Sequence, residues 1–340
     1  MPRTVLPPRL ERGDTIGIVT PSVPAPAGAP RRFERGIEQV QRLGFEVRVA
    51  TNARGSRGHR SGTIEERVAD LHELFGDPDV RAILCAIGGF NSNSLLDELD
   101  YELIRANPKV FVGYSDVTAL HAGIWSQTGL AVCLGPSLMV QFAEFDGVDP
   151  YTWEAWERTL MSAEPAGALD PAEAWTDEFL AWDEADTRRR ERRPNPGPRT
   201  VRQGESQGPV VAGNLTTLLA LAGTRFWPEL EGALLCLEDD HNPDVAILDR
   251  MLTQLRQLGA FEQVSGLALG RFTTASELGP ESALDEVVLE ATRDSRFPIA
   301  VDLDFGHTDP MFCLPWGAQA RLEAGDDVQL SLLEPAVSER

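Results

Sequence analysis

The strongest constraint on the fold is an alternation in the first 136 residues. Short apolar runs alternate with stretches of helical period. DTIGIVT (14–20), FEVRVA (45–50), VRAILCAIGG (80–89), KVFVGY (109–114) and AVCLGP (131–136) read as buried strands. Between them lie PRRFERGIEQVQRLG (30–44), TIEERVADLHELFGD (63–77), a short helix at NSNSLLDEL (91–99) and DVTALHAGIWSQTG (116–129). Repeated βα units imply a parallel sheet with helices on both faces. Such sheets bind ligands beyond the carboxyl ends of their strands. Thr20-Pro21-Ser22, Gly88-Gly89 and Gly113-Tyr114-Ser115 all fall at such ends. One crevice can therefore gather all three.

The composition changes at 164–208. That stretch is rich in Pro, Gly and charge, carries Trp175 and Trp182, and reads as a linker or an ordered active-site loop. It separates a first α/β domain at 1–163 from a second at 209–340. In the second, GALLCLED (232–239), GLALGRF (266–272) and IAVDLDF (299–305) read as strands. DVAILDRMLTQLRQLG (244–259) and ESALDEVVLEATRDS (281–295) read as helices, and ARLEAGDDVQLSLL (320–333) as a hairpin. The expected class is mixed α/β with antiparallel or barrel-like strands.

The 340 residues suffice for two cores. The formal charge of −22 disfavours nucleic acid and anionic membranes as partners. MPRTVLPPRLERGD lacks a signal-peptide core, and no apolar run has the length of a membrane span. Cys85, Cys133, Cys236 and Cys313 are far apart in apolar segments. They predict reduced, buried thiols in a cytoplasmic protein. No metal site is predicted, since there is no HExxH and no His/Cys cluster. The phosphate-cradle motif is missing too, and no cofactor is expected.

Ser115 stands at a strand-to-helix junction, where a serine either caps the helix or serves as a nucleophile on a strained turn. G-Y-S-D-V lacks the second glycine of G-x-S-x-G, which disfavours an ordinary α/β-hydrolase. A nucleophilic serine needs a base and an acid to orient it. Of the five histidines, His59 is flanked by Arg57 and Arg60, and His72 lies within a helix. His121 shares a helix with Ser115 but points elsewhere. His241 stays a candidate, and His307 in DFGHTDP sits on a shaped loop past a strand. Glu238 ends an apolar strand as the candidate acid, and Asp239 and Asp240 compete with it. Paired glycines commonly make a tight turn, but the amides at Gly88-Gly89 also suit an oxyanion.

Taken together, IGGFNSNSLLDELDYELIRANPKVFVGYSDVTAL (87–120), VAGNLTTLLALAGT (211–224), LCLEDD (235–240) and FGHTDP (305–310) resemble, in order, the LD-carboxypeptidase family of serine peptidases. GGFNSNSLL and WTDEFLAW resemble its microcin C self-immunity branch more than its murein-recycling branch. The resemblance implies a flavodoxin-like parallel-sheet domain followed by a smaller β-rich α/β domain. It implies Ser115 as nucleophile, Glu238 as acid and His307 as base, with the amides of Gly89 and Asp116 as oxyanion hole. Trp175, Trp182 and Asn214 would bind substrate. It further implies a homodimer without a metal. The substrate would be a peptidyl-nucleotide, an acidic amino acid in amide linkage to a modified nucleotide, or alternatively a small murein peptide. The run Arg188–Arg193 reads as a solvated linker. The competing reading from another class is a non-catalytic protein whose crevice binds a small molecule and whose Ser115 merely caps a helix.

Overall fold

The computed structural model describes residues 3–240, 244–276 and 278–340. His241 lies outside them. The five expected strands of the first half form as β1 (Thr15–Val19), β2 (Glu46–Val49), β3 (Val80–Cys85), β4 (Val110–Gly113) and β5 (Cys133–Leu134). They pair in parallel in the order β2-β1-β3-β4-β5. This is the flavodoxin-like order, whose switch point lies between β1 and β3.

Local chemistry fixes the helices. Ile64–Gly76 starts from a reciprocal capping box of Thr63 and Glu66. Thr118–Thr128 ends on Gly129 in the left-handed conformation. NSNSLLDEL yields only a 3₁₀ turn, Ser92–Leu95. Among the helices that escape the sequence reading are Tyr101–Ala106 and Pro150–Leu160. Asp100 and Asp149 cap them by accepting from the amides of Leu103 and Tyr151.

The stretch 164–208 is ordered by pairing. It contains β6 (Gly167–Ala168), β7 (Ala174–Trp175), β8 (Arg193–Pro194), β9 (Arg199–Arg202) and the start of β10 (Gly204–Asn214). β7 and β8 form a small ribbon of their own. The second sheet runs β6-β16-β15-β10-β11-β12-β13-β9. Here β11 is Leu234–Glu238, β12 Gly266–Gly270, β13 Ile299–Leu303, β15 Gln319–Ala324 and β16 Val328–Leu332. Strands β10 to β13 are parallel, and the flanking ones are antiparallel. The expected terminal hairpin is β15-β16.

The two sheets are stitched together. β14 (Leu314–Pro315) pairs antiparallel with β5, extending the first sheet. Trp316 Nε1 donates to the carbonyl of Ala212 in β10 at 2.7 Å. The helix Thr118–Thr128 is buried between the domains, and a side chain at Gly213 would collide with Thr118. All four cysteines are buried free thiols. Among the described residues no helix is long and apolar enough to cross a membrane.

Candidate active site

Ser115 leaves the tip of β4 with φ 64°, in the left-handed region where a residue with a Cβ is strained. A 3₁₀ turn, Ser115–Val117, follows, with no side-chain cap. Ser115 is therefore not the helix cap. The strained turn needs small neighbours. A Cβ at Gly88 would lie 2.8 Å from Ser115 Cβ and 3.1 Å from the amide nitrogen of Asp116. One at Gly113 would lie 3.0 Å from Cys85 Cβ and from Val117.

The side chain of Asp116 latches this turn to its surroundings. Its Oδ2 accepts from Ser22 Oγ at 2.6 Å and from the amides of Asn91 and Ser92 at 2.9 and 2.8 Å. Ser92 Oγ donates to the carbonyl of Asp116 at 2.5 Å. Buried Arg67 closes the same cluster, donating to the carbonyl of Pro21 at 2.8 Å and to Asn91 Oδ1 at 2.5 Å. The ends of β1, β3 and β4 thus converge as the strand order requires. Sequence reading found Asp116 only for its amide. Its carboxylate and Arg67 were missed, because a latch across loops leaves no spacing signal.

The other half of the site comes from the second sheet. Glu238 ends β11, is 1 % exposed, and its Oε2 lies 2.5 Å from His307 Nδ1. Gly270 and Gly306 make room for it; a Cβ at Gly306 would stand 2.7 Å from Glu238 Cβ. Nε2 of His307 lies 3.1 Å from Asp240 Oδ2. Asp239 points away and accepts from Thr216 Oγ1 and its amide at 2.7 and 2.9 Å. Burial alone pushes the His307 imidazole down. Glu238 and Asp240 outweigh it and raise the ring to about 10. Burial raises the Glu238 carboxyl, and His307 opposes this.

Ser115, His307 and Asp240 line one cleft of about 190 Å³, with Gly88, Gly89 and Tyr114. Val23, Ile87, Phe90 and Val140 give it an apolar wall. Tyr114 sets its ring edge-on to His307 at 4.9 Å. Among the described residues no hydrogen bond joins Ser115 Oγ to His307. The remaining described histidines lie outside the cleft. His59 is exposed. His72 Nε2 accepts from the amide of Asp100 at 2.9 Å. His121 packs on Phe111 and Trp316, and burial pushes its pKa down to about 3.

The stretch 176–192 forms no helix, so the seven-residue spacing of Trp175 and Trp182 does not align them on one helical face. Trp175 is buried, with Arg193 and Arg271 at 4.3 and 4.9 Å from its ring. Trp182 is half-buried and carries Arg32 at 4.8 Å. Asn214 caps the helix Leu215–Leu219 through Thr217 and reaches Asp240 Oδ1 at 3.5 Å.

The arginine run is not a solvated linker. Arg188, Arg189, Arg192 and Arg193 pair with Glu178, Asp146, Asp149 and Asp177. Arg190 is largely buried between Glu144 and Asp309. The backbones of Thr176 and Asp309 pair in both directions at 2.7 and 2.9 Å, which pins the loop beside His307.

Comparison with known proteins identifies the family. Residues 16–135 match the LD-carboxypeptidase N-terminal domain, and residues 207–322 match the LD-carboxypeptidase C-terminal domain. YocD of Bacillus subtilis is 38 % identical over 319 residues, covering 93 % of this chain and 95 % of YocD. The microcin C7 self-immunity protein MccF of Escherichia coli is 35 % identical over 329 residues, covering 96 % of this chain and 95 % of MccF. The structure of MccF in complex with aspartyl sulfamoyl adenosine superposes with a TM-score of 0.90 at 35 % identity, covering 98 % of this chain and all of the other. By sequence over nearly its whole length and by fold, the chain belongs to the LD-carboxypeptidase family of serine peptidases.

Proposed function

We propose that the protein is a metal-independent amidase with a Ser115–His307–Glu238 triad. Its substrate joins an acidic amino acid by an amide to a modified nucleotide. The observation that carries the triad is the 2.5 Å contact of His307 Nδ1 with buried Glu238, in a cleft shared with strained Ser115. In the reaction, Nε2 of His307 takes the Ser115 proton as Oγ attacks the carbonyl. The amides of Gly89 and Asp116 receive the oxyanion, and His307 returns the proton to the leaving nitrogen. Water then attacks the acyl-serine by the same route in reverse. Glu238 holds the ring and stabilises the imidazolium that forms.

The nucleotide reading is supported by the likeness to MccF, which is known in complex with aspartyl sulfamoyl adenosine. Trp182 is the residue assigned to the base. It is partly open, whereas Trp175 already lies against two guanidinium groups. Asn214, next to Asp240, would contact the acyl part. The boundaries at 163 and 208, a homodimer and a cytoplasmic location complete the proposal; the four free thiols suit a reducing compartment.

The test is mass-spectrometric hydrolysis of aspartyl and glutamyl sulfamoyl adenosine beside a murein tetrapeptide. Cleavage of the nucleotide amides by the wild type, absent in Ser115→Ala, is expected. Cleavage of the tetrapeptide alone returns the chain to cell-wall recycling. Failure on every substrate, with no adduct on Ser115 from a fluorophosphonate, favours a non-catalytic binding protein.

A further inference from the structure

Both ring nitrogens of His307 face carboxylates, Glu238 at Nδ1 and Asp240 at Nε2. A neutral imidazole carries one N–H, so two carboxylate acceptors call for the doubly protonated ring. That ring has no lone pair with which to take a proton from Ser115. Among the described residues, the groups facing it are Glu238 at the end of β11, Asp240 just beyond, the Tyr114 ring at the end of β4, and Ser115 across the cleft. None of these is a cation. Asp239 and Asp309 are turned to other partners, Thr216 and the Arg190–Gln141 pair.

The two carboxylates differ in exposure. Glu238 is wedged against Gly270 and Gly306 and is 1 % exposed. The side chain of Asp240 is 28 % exposed and borders the cleft. We infer that Asp240 is a positioning residue that competes with Ser115 for Nε2 of His307, holding the base protonated until bound substrate displaces its carboxylate. This inference rests on the proposed triad. The resting pair also fixes the ring plane, since Nδ1 and Nε2 are tethered at once. Activity then depends on two things that a simple triad does not separate: the charge at residue 240 and the substrate's ability to move it.

The test uses the full chain as wild type, Asp240→Asn and Asp240→Ala. The His307 Cε1 resonance, assigned with His307→Gln, is titrated by NMR. In parallel, the rate of fluorophosphonate labelling at Ser115 is followed against pH. Removing a neighbouring anion destabilises the imidazolium, so the His307 midpoint falls in both variants by about one pH unit or more. Each unit of that fall makes neutral base about tenfold more abundant below the midpoint, and labelling at pH 7 rises by about the same factor. An unchanged His307 midpoint in both variants overturns the role of Asp240. A lowered midpoint with no adduct on Ser115 in any of the proteins overturns the nucleophile, and the competition for Nε2 with it. A lowered midpoint with labelling on Ser115 that does not accelerate overturns the competition alone.

Discussion

Ser115 sits where backbone geometry leaves little room, with φ 64° and with Gly88 and Gly113 packed against its turn. Its neighbour Asp116 is tied by hydrogen bonds to loops after β1 and β3. His307, at the end of the second sheet, is held by charge, between Glu238 and Asp240. One half of the site is thus fixed by shape and the other by electrostatics. The side of the proposed nucleophile should respond to added volume, and the side of the proposed base to removed charge.

The most severe break in this comparison is Ser115→Ala, which removes the proposed nucleophile. Loss of a triad nucleophile costs about 10⁶ in kcat. The fold should survive, because Ser115 makes no cap and alanine is smaller. Turnover at a tenth of the wild-type rate would end the triad reading. Next comes Glu238→Gln, a change of charge with little change of shape. It should lower kcat by about 10⁴ with KM nearly unchanged. A mild Glu238→Gln beside a crippled Asp240→Asn would move the orienting acid to Asp240.

Gly88→Ala probes the other half, adding volume without touching charge. Its Cβ would press on Ser115 Cβ and the Asp116 amide. Displacing a nucleophile by about 1 Å can cost about 10²-fold in rate. The pH profile should keep its midpoint, since the base side is untouched. A shifted midpoint would mean that the two halves are not separable. The smallest effect is expected at the loop. If Trp182 stacks on a nucleobase, Trp182→Ala loses about 1–3 kcal/mol, roughly 5- to 150-fold in kcat/KM for a sulfamoyl adenosine. A substrate without a base should be cleaved as before. Equal losses on both substrates, with a lowered Tm, would make Trp182 an anchor like Trp175.

Much of this was legible in the chain. The apolar runs and capped helices of residues 14–136 predict the parallel sheet, and the strand ends predict the crevice. The helix Pro150–Leu160 carried a readable start in Asp149-Pro150 yet escaped the reading, because its apolar face is broken by polar residues. Glu238, Asp239 and Asp240 are instructive. Strand side chains alternate, but β11 ends at Glu238, so its period does not extend to Asp239 and Asp240. Spacing leaves all three in contention, and it is the structure that turns Asp239 to Thr216.

Periodicity could not choose between Glu238 and Asp240, since the strand ends at Glu238. Tertiary structure separated them. Glycines 270 and 306 admit Glu238 to a buried slot against Nδ1, while Asp240 stands at the cleft against Nε2. The arginine run follows the same rule. Its charges are plain in the sequence, but their acidic partners are 10 to 119 residues away in the chain. Local order in the chain thus determined the elements and the ends from which function projects. Which carboxylate meets which nitrogen depends on packing between two sheets, and no spacing along one strand encodes that.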